Sequence, residues 1–405
     1  MEYKKLKDVA TIFISNVDKK TKEGESPVIL CNFVDVYRNW AITSSHIDRL
    51  MEATANEKEI LKYTLHKGDV CITKDSETKD DIGTSTYIAD EIEGLLLGYH
   101  CALIRPDTDY VDGRYLNAFL QSDFVRRFYE ANASGSGQRY TLTLDSIGEI
   151  PVPVIPIEKQ KSIGKVFSDI DRKIENNNKI NDNLHKFAMC YYDYWFTQFD
   201  FPDKNGKPYQ SYGGCFTNDN TIRRDIPPCF SINHIEDYCE IFTGKKDVNQ
   251  SKDCGKYRFY SCAPEYRFSD EKIYEGQAIL ISGNGSYTGR TIFVDTAFDL
   301  YQRTYACVPN NNTSQDILIY IYYSLLRYLV PQISGGTHGS AIPYIVRDDI
   351  AKMPILFNDS LVTKFVQKVK PVLNKIVMNE NENAHLTSLR DWLLPLLMNG
   401  QATIS

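Results

Sequence analysis

The residues with the richest hydrogen-bonding chemistry lie in three glycine-punctuated polar loops. In Ser134-Gly135-Ser136-Gly137-Gln138-Arg139-Tyr140, an amide, a guanidinium and a phenol follow small residues that let backbone N–H groups approach an anion closely. Glutamine matches an adenine edge, and arginine matches guanine or phosphate. The run Ser334 to Ser340 offers Thr337, His338 and Ser340 as donors or acceptors, and Ser282 to Arg290 offers Asn284, Tyr287 and Arg290 after an apolar strand. Arg126 on an expected helix and Lys74 at a strand end could reach phosphates. So could Lys245-Lys246 and Lys256-Tyr257-Arg258, where basic residues alternate with aromatics. Every one of these also reads as a solvated turn or surface cation whose glycines serve chain geometry alone.

Bond-making chemistry is harder to find. Methyl transfer to an amino group calls for an Asn-Pro-Pro-aromatic loop. Ile226-Pro227-Pro228-Cys229-Phe230 has isoleucine in place of the amide and cysteine in place of the ring. Gly283-Asn-Gly285-Ser-Tyr-Thr-Gly289 is one residue too long for a dinucleotide loop, and no G-x-x-x-x-G-K-[ST], G-x-S-x-G or H-E-x-x-H occurs. Pro106-Asp107 and Pro202-Asp203 lack the acidic-x-Lys partner of a metal nuclease. The 10 cysteines form no C-x-x-C, so they read as reduced thiols of a cytoplasmic protein, with no metal site expected.

Two long helices must position the loops. Ile163, Phe167, Ile170, Ile174, Asn177, Asn181, Leu184, Ala188, Tyr191 and Trp195 step by four and three. At an offset of 202 they recur as Phe365, Val369, Val372, Ile376, Asn379, Asn383, Leu386, Arg390, Leu393 and Leu397, with only Arg390 out of character. This is a coiled-coil seam, interrupted at the same two places by asparagine, whose amide needs a partner that one register supplies. A rod of this length spans roughly 50 Å at 1.5 Å per residue. Pro371 lies within the second seam, where a kink or a fresh start is expected. Two unrelated amphipathic helices remain the alternative. The outer faces, including Phe187, Trp195, Phe196 and Trp392, offer apolar docking or simple packing.

The segments before each helix correspond too. Leu6-x-Asp8 with Ile12-Phe13 returns as Ile235-x-Asp237 with Ile241-Phe242. The run from His66 to Ile72 returns from Tyr274 to Leu280, and Ala102 to Pro106 returns from Ala306 to Pro309. Ser134-Gly135 and Asp145-x-Ile147 return as Ser334-Gly335 and Asp348-x-Ile350, and short helices are expected at 112–121 and 315–328. The organisation read from this is a domain at 1–152, a helix at 157–199, a turn-rich connector at 200–214, a domain at 215–355 and a helix at 358–398. A net charge of −7 excludes binding DNA by bulk charge, so positive charge must be local or come from partners. The sequence also holds no run apolar and long enough to span a membrane, and Met1 to Phe13 does not look like a secretory signal.

With those residues in order, the chain resembles the specificity subunits of type I restriction-modification systems. The likeness runs nearly end to end. It rests on Ser134-Gly-Ser-Gly-Gln138, Ile150-Pro151-x-Pro153, Pro156-Ile157-Glu158-Lys159-Gln160 and Ile170-Asp171-x-x-Ile174. It continues through Phe201-Pro202 to Gly214, Ile226-Pro227, Thr243-Gly244, Leu389-Arg390-Asp391-x-Leu393-Leu394-Pro395 and Met398-x-Gly400. The resemblance implies an α+β protein: two similar α/β target-recognition domains separated by two long antiparallel coiled-coil helices, a pseudo-twofold tandem repeat. It further implies a non-catalytic reader of a bipartite sequence in double-stranded DNA. Its expected partners are two methyltransferase (M) subunits that use S-adenosylmethionine, and restriction/translocase (R) subunits; no cofactor is expected in this chain. The second half departs from the pattern at Ser334-Gly-Gly-Thr337-His338-Gly-Ser340 and at Pro227-Pro228-Cys229-Phe230, which puts individual DNA contacts in doubt. An acidic DNA mimic that blocks restriction enzymes and a stand-alone methyltransferase are the alternatives. The first would need carboxylates at phosphate-like spacing, and the second the motifs that are missing.

Overall fold

The computed structural model describes residues 2–18, 20–135, 139–311, 313–334 and 344–404. The chain divides into two units, Met1–Asn177 with Glu382–Ser405, and Asn178–Asn381. Each unit holds one globular domain and a stretch of both long helices.

The first unit is built on a five-stranded sheet. Its order is Ala10–Ile14, Cys101–Pro106, Val70–Thr73, Ser85–Ile88 and Ala41–Ile42, antiparallel except for the last pair. The central strand, Val70–Thr73, is buried at every position, as expected of a strand covered on both faces. The helix Gly113–Leu120 covers one face through Tyr115, Leu116 and Phe119. A separate three-stranded sheet, Met51–Ala55, Ser26–Cys31 and Leu95–Leu97, packs its own small core. The strand Glu2–Lys5 pairs with Pro151–Val154, returning the chain to the start of the first long helix.

The second unit repeats this order as Cys239–Thr243, Thr304–Pro309, Tyr274–Ser282, Thr291–Leu300 and Tyr257–Tyr260, with one further edge strand, Arg267–Ser269. Again only the pairing of Tyr257–Tyr260 with its inner neighbour is parallel. The covering helix, Ile317–Ser334, is longer, and Ser231–His234 pairs with Pro354–Phe357 as Glu2–Lys5 does with Pro151–Val154. The two domains are therefore a tandem repeat at the level of strand order. The connector is an ordered part of the second unit. Phe201 stacks on Tyr209 at 4.8 Å, and Phe199, Phe201 and Phe230 are buried together.

Register differs by one residue from the correspondence drawn on sequence. Ala10 faces Pro106 and Cys239 faces Pro309, so the prolines are equivalent and Ala102 corresponds to Tyr305 instead of Ala306. Likewise Ile72, opposite Ala102, corresponds to Ile281 instead of Leu280. Matching like residues had favoured a frame that hydrogen bonding does not, and in a strand one residue reverses every side chain.

The first long helix runs Ile157–Tyr192 and closes in a π-helical turn, Asp193–Thr197; the second runs Asp359–Met398. The second neither stops nor starts afresh at Pro371, where buried Val369 and Leu373 anchor it on either side. Within each unit the helix stretches run antiparallel. In the first unit, Asn177 Nδ2 donates to Glu382 Oε2 at 2.8 Å and to Asn383 Oδ1 at 2.9 Å, while Phe167 lies in one core with Leu394 and Leu397. In the second, Asn379 Nδ2 donates to Asn181 Oδ1 at 2.7 Å, and Asn181 Nδ2 donates to the Ile376 carbonyl at 3.3 Å. Ile170 and Ile376 are buried, Leu184 and Val372 pack against the second core, and Ile174 and Leu386 are half-buried. Arg390, the one mismatch in the repeat, stacks on Trp40 at 4.7 Å.

Candidate nucleic-acid interface

Each domain has a polar cleft at the same point of its sheet, where the central strand ends and its neighbour begins. In the first unit the Lys74 amide donates to the His100 carbonyl at 2.9 Å, and the Leu142 amide donates to the Lys74 carbonyl at 2.7 Å. Tyr140–Thr141 then pairs with Asp75–Ser76, and Ser134–Gly135 pairs with Tyr140–Thr141. Gly135 has to be glycine: its φ is +154°, and a Cβ would fall 2.1 Å from the Arg139 carbonyl oxygen.

Four side chains converge on the buried Asp75 carboxylate: Lys74 Nζ at 2.8 Å, His100 Nδ1 at 2.5 Å, Thr141 Oγ1 at 2.6 Å and Arg139 Nη2 at 3.5 Å. Burial pushes this carboxyl up, but the hydrogen bonds from Lys74, Thr141 and His100 outweigh it and hold the group below the usual range. Arg139 Nη2 lies against the His100 ring, 2.5 Å from Nδ1 and 3.0 Å from Nε2. His100 has φ +70°, a left-handed conformation that this network sustains. The cleft holds about 720 Å³ and is lined by Tyr37, Asp75, Glu77, Asp81, His100 and Arg139 among others.

The second unit has the same backbone frame with different side chains. The Gly283 amide donates to the Arg303 carbonyl at 3.0 Å, the Ile345 amide donates to the Gly283 carbonyl at 2.8 Å, and Asn284 bridges to Tyr344. By ladder position Gly283 stands for Lys74, Asn284 for Asp75, Arg303 for His100 and Tyr344 for Thr141. Cys262 Sγ donates to Asn284 Oδ1 at 3.2 Å. Arg303 is exposed, and among the described residues no hydrogen bond or ion pair engages its guanidinium. This cleft, about 460 Å³, is lined by Asn284, Gln302, Arg303, Tyr305 and Tyr344, with no carboxylate among the described lining residues.

The residues singled out from sequence are distributed unevenly over these sites. Ser134, Gly135, Arg139, Tyr140 and Lys74 gather around the first cleft, with Lys74 ion-paired to Asp75. Arg126 lies on the helix Asp123–Asn132, paired with Asp123 at 2.9 Å. Asn284 lines the second cleft, Tyr287 is exposed on the turn that follows, and Arg290 is tied to the Pro264 carbonyl at 3.2 Å. Ser334 ends the covering helix. Ser136, Gly137, Gln138, Thr337, His338 and Ser340 lie outside the described residues. Lys246 is half-buried and ion-paired to Asp299 at 2.7 Å and Glu271 at 2.8 Å, and Arg258 stacks on Tyr266 at 4.7 Å while donating to Asn381. Trp195 and Phe196 are core residues packed among Tyr192, Tyr320 and Phe365, so they present no outer face. Asp75, His100 and Arg303 were not picked out from sequence. Their only signal is position at the ends of paired strands, which the one-residue slip concealed.

No group of described residues could hold a metal ion, and no helix of described residues is long and apolar enough to cross a membrane. Each unit therefore carries a cleft on the same backbone frame, together with an asparagine-keyed antiparallel pair of helix stretches. The model of the type I restriction modification DNA specificity domain matches residues 1–186. The chain is 24% identical to the MjaIX specificity subunit of Methanocaldococcus jannaschii over 73% of this chain and 70% of that one. It is 20% identical to the HindI specificity subunit of Haemophilus influenzae over 92% and 94%. Its fold is similar to that of the type I restriction-modification S subunit from M. genitalium, with a TM-score of 0.55, 16% identity and coverage of 98% of this chain and 95% of that chain. The chain is thus similar to type I specificity subunits over most of its length, and its first 186 residues match their DNA specificity domain.

Proposed function

We propose that this chain reads a bipartite sequence in double-stranded DNA, one half-site per domain, and carries the enzymes that act there. One observation supports this above the rest: the polar cleft recurs on the same backbone frame in both domains while its side chains differ. Two different readers on one scaffold suit a target with two different halves. Spacing between the halves follows from helix register, which the asparagine contacts specify.

Catalysis resides in the partners. S-adenosylmethionine belongs to two methyltransferase subunits, cleavage and translocation to restriction subunits, and the assembly works in the cytoplasm. The methyltransferases dock on equivalent faces of the two long helices, a reading that the repeat supports. Phe187 and Cys190 on the first long helix and Leu389 and Trp392 on the second occupy equivalent positions, and all four are exposed. Two equal patches suit two copies of one partner. With a net charge of −7, the chain relies on those partners for most phosphate neutralisation.

A gel shift on random-sequence duplexes, with and without methyltransferase subunits, tests this. The expected result is a sequence-selective complex with partners and no methylation by the chain alone. Methylation by the isolated chain would favour an enzyme, and inhibition of restriction without duplex binding would favour a DNA mimic.

A further inference from the structure

The two clefts differ in charge as well as in residue type. In the first, Lys74, His100 and Arg139 all lie against Asp75, and Glu77 and Asp81 add further carboxylates to the lining. In the second, the position of the committed His100 is taken by Arg303, whose guanidinium has no partner among the described residues. Beside it stands Asn284, whose Oδ1 accepts from the Cys262 thiol at 3.2 Å and whose Nδ2 has no hydrogen bond among the described residues. Gln302, Tyr305 and Tyr344 complete a lining rich in neutral hydrogen-bonding groups. Phosphate is met by cations and backbone amides in any arrangement, whereas the planar fork of an unengaged guanidinium beside an amide matches the acceptor pattern of one base edge.

We propose that Arg303, flanked by Asn284, is the base-reading residue of the second domain and donates to O6 and N7 of a guanine in the major groove. This rests on the reading of the chain as a two-headed DNA-recognition subunit. Arg303 touches the base and Asn284 positions or supplements it. In the first domain the equivalent pair, Asp75 and His100, is an internal network that orders Arg139.

The test uses the full chain assembled with its methyltransferase subunits and compares the bound sequences selected from a random duplex pool. Arg303→Lys keeps the charge and loses the two-pronged geometry. It should relax one position, a guanine, in one half-site only, with affinity for the parent site falling roughly 5- to 150-fold. The other half-site should stay intact, and this also reports that the variant folds and assembles. Arg303→Ala should relax the same position. If Arg303→Lys leaves the selected sequence unchanged while Arg303→Ala weakens all duplexes equally, the residue contacts phosphate and the proposal is wrong. It is equally wrong if neither variant changes the selection. If the parent complex itself selects no two-part sequence, the underlying reading fails, and that result is distinct from either outcome for the variants.

Discussion

The two units share a sheet and differ in how they grip the helices. In the second, the helix pair is held by a dense aromatic core. Phe365 is fully buried and packs against Tyr191, Tyr192, Phe196, Tyr320 and Tyr323, all with ring centroids within 6.3 Å. In the first, the grip is partly polar. Arg390 stacks on Trp40, Asp171 faces Arg390, and Thr43 Oγ1 donates to Glu175 Oε1 at 2.6 Å. At the same repeat positions the second unit has Ala188 in place of Arg390 and Leu373 in place of Asp171, both buried. Duplication kept what sets register, the paired asparagines, and let the attachment of each domain diverge.

The contrast is easiest to break on the aromatic side. Phe365→Ala should cost about 3–5 kcal/mol, at the upper end because a rigid ring cluster collapses poorly into the void. Phe167→Ala in the first unit should cost less, since among the described residues Phe167 has one aromatic neighbour, Trp40 at 5.8 Å. Denaturant titrations of the two variants compare them directly.

A pH titration probes the polar side. Burial pushes the Asp171 carboxyl from 3.8 up to about 7, and the Arg390 guanidinium offsets only part of this. A pKa raised on folding means that the favourable contribution is complete below the unfolded value near 3.8 and disappears as pH rises through about 7. Asp171→Asn should therefore flatten the decline in stability across that window. Above pH 7 it should be more stable than the parent, by a few kcal/mol at most, on the order set by about 1.4 kcal/mol per pKa unit. Melting temperatures from pH 4 to 8 would follow this, and an unchanged pH profile would contradict it.

Smaller effects are expected at the shared asparagines and at the stacked arginine. Asn177→Leu with Asn379→Leu removes the hydrogen bonds to half-buried Asn383 and to buried Asn181, the latter at about 1–3 kcal/mol. The domains should stay folded, and the preferred gap between half-sites should broaden; an unaltered gap would count against register control. Arg390→Ala should cost the least, about 0.5–2 kcal/mol, from the lost stacking on Trp40.

The helices were legible in sequence because a seam of Ile, Phe and Leu at steps of four and three is a local signal, and paired asparagines at one offset are rare by chance. The sheet was half legible. Pro106 and Pro309 mark the true register, but small alanines at 102 and 306 drew the frame one residue astray. The clefts were hardest to see. Asp75 and His100 are 25 residues apart, and strand pairing alone brings them together. Lys246 and Arg258 looked like surface cations because Asp299, Asn381 and Tyr266 are distant in sequence.

The most direct test of two readers on one scaffold is the sequence that the complete complex selects from a pool of random duplexes. Two short specified tracts flanking an unspecified gap of constant length are predicted. One contiguous tract, or a gap that varies freely, would contradict the account.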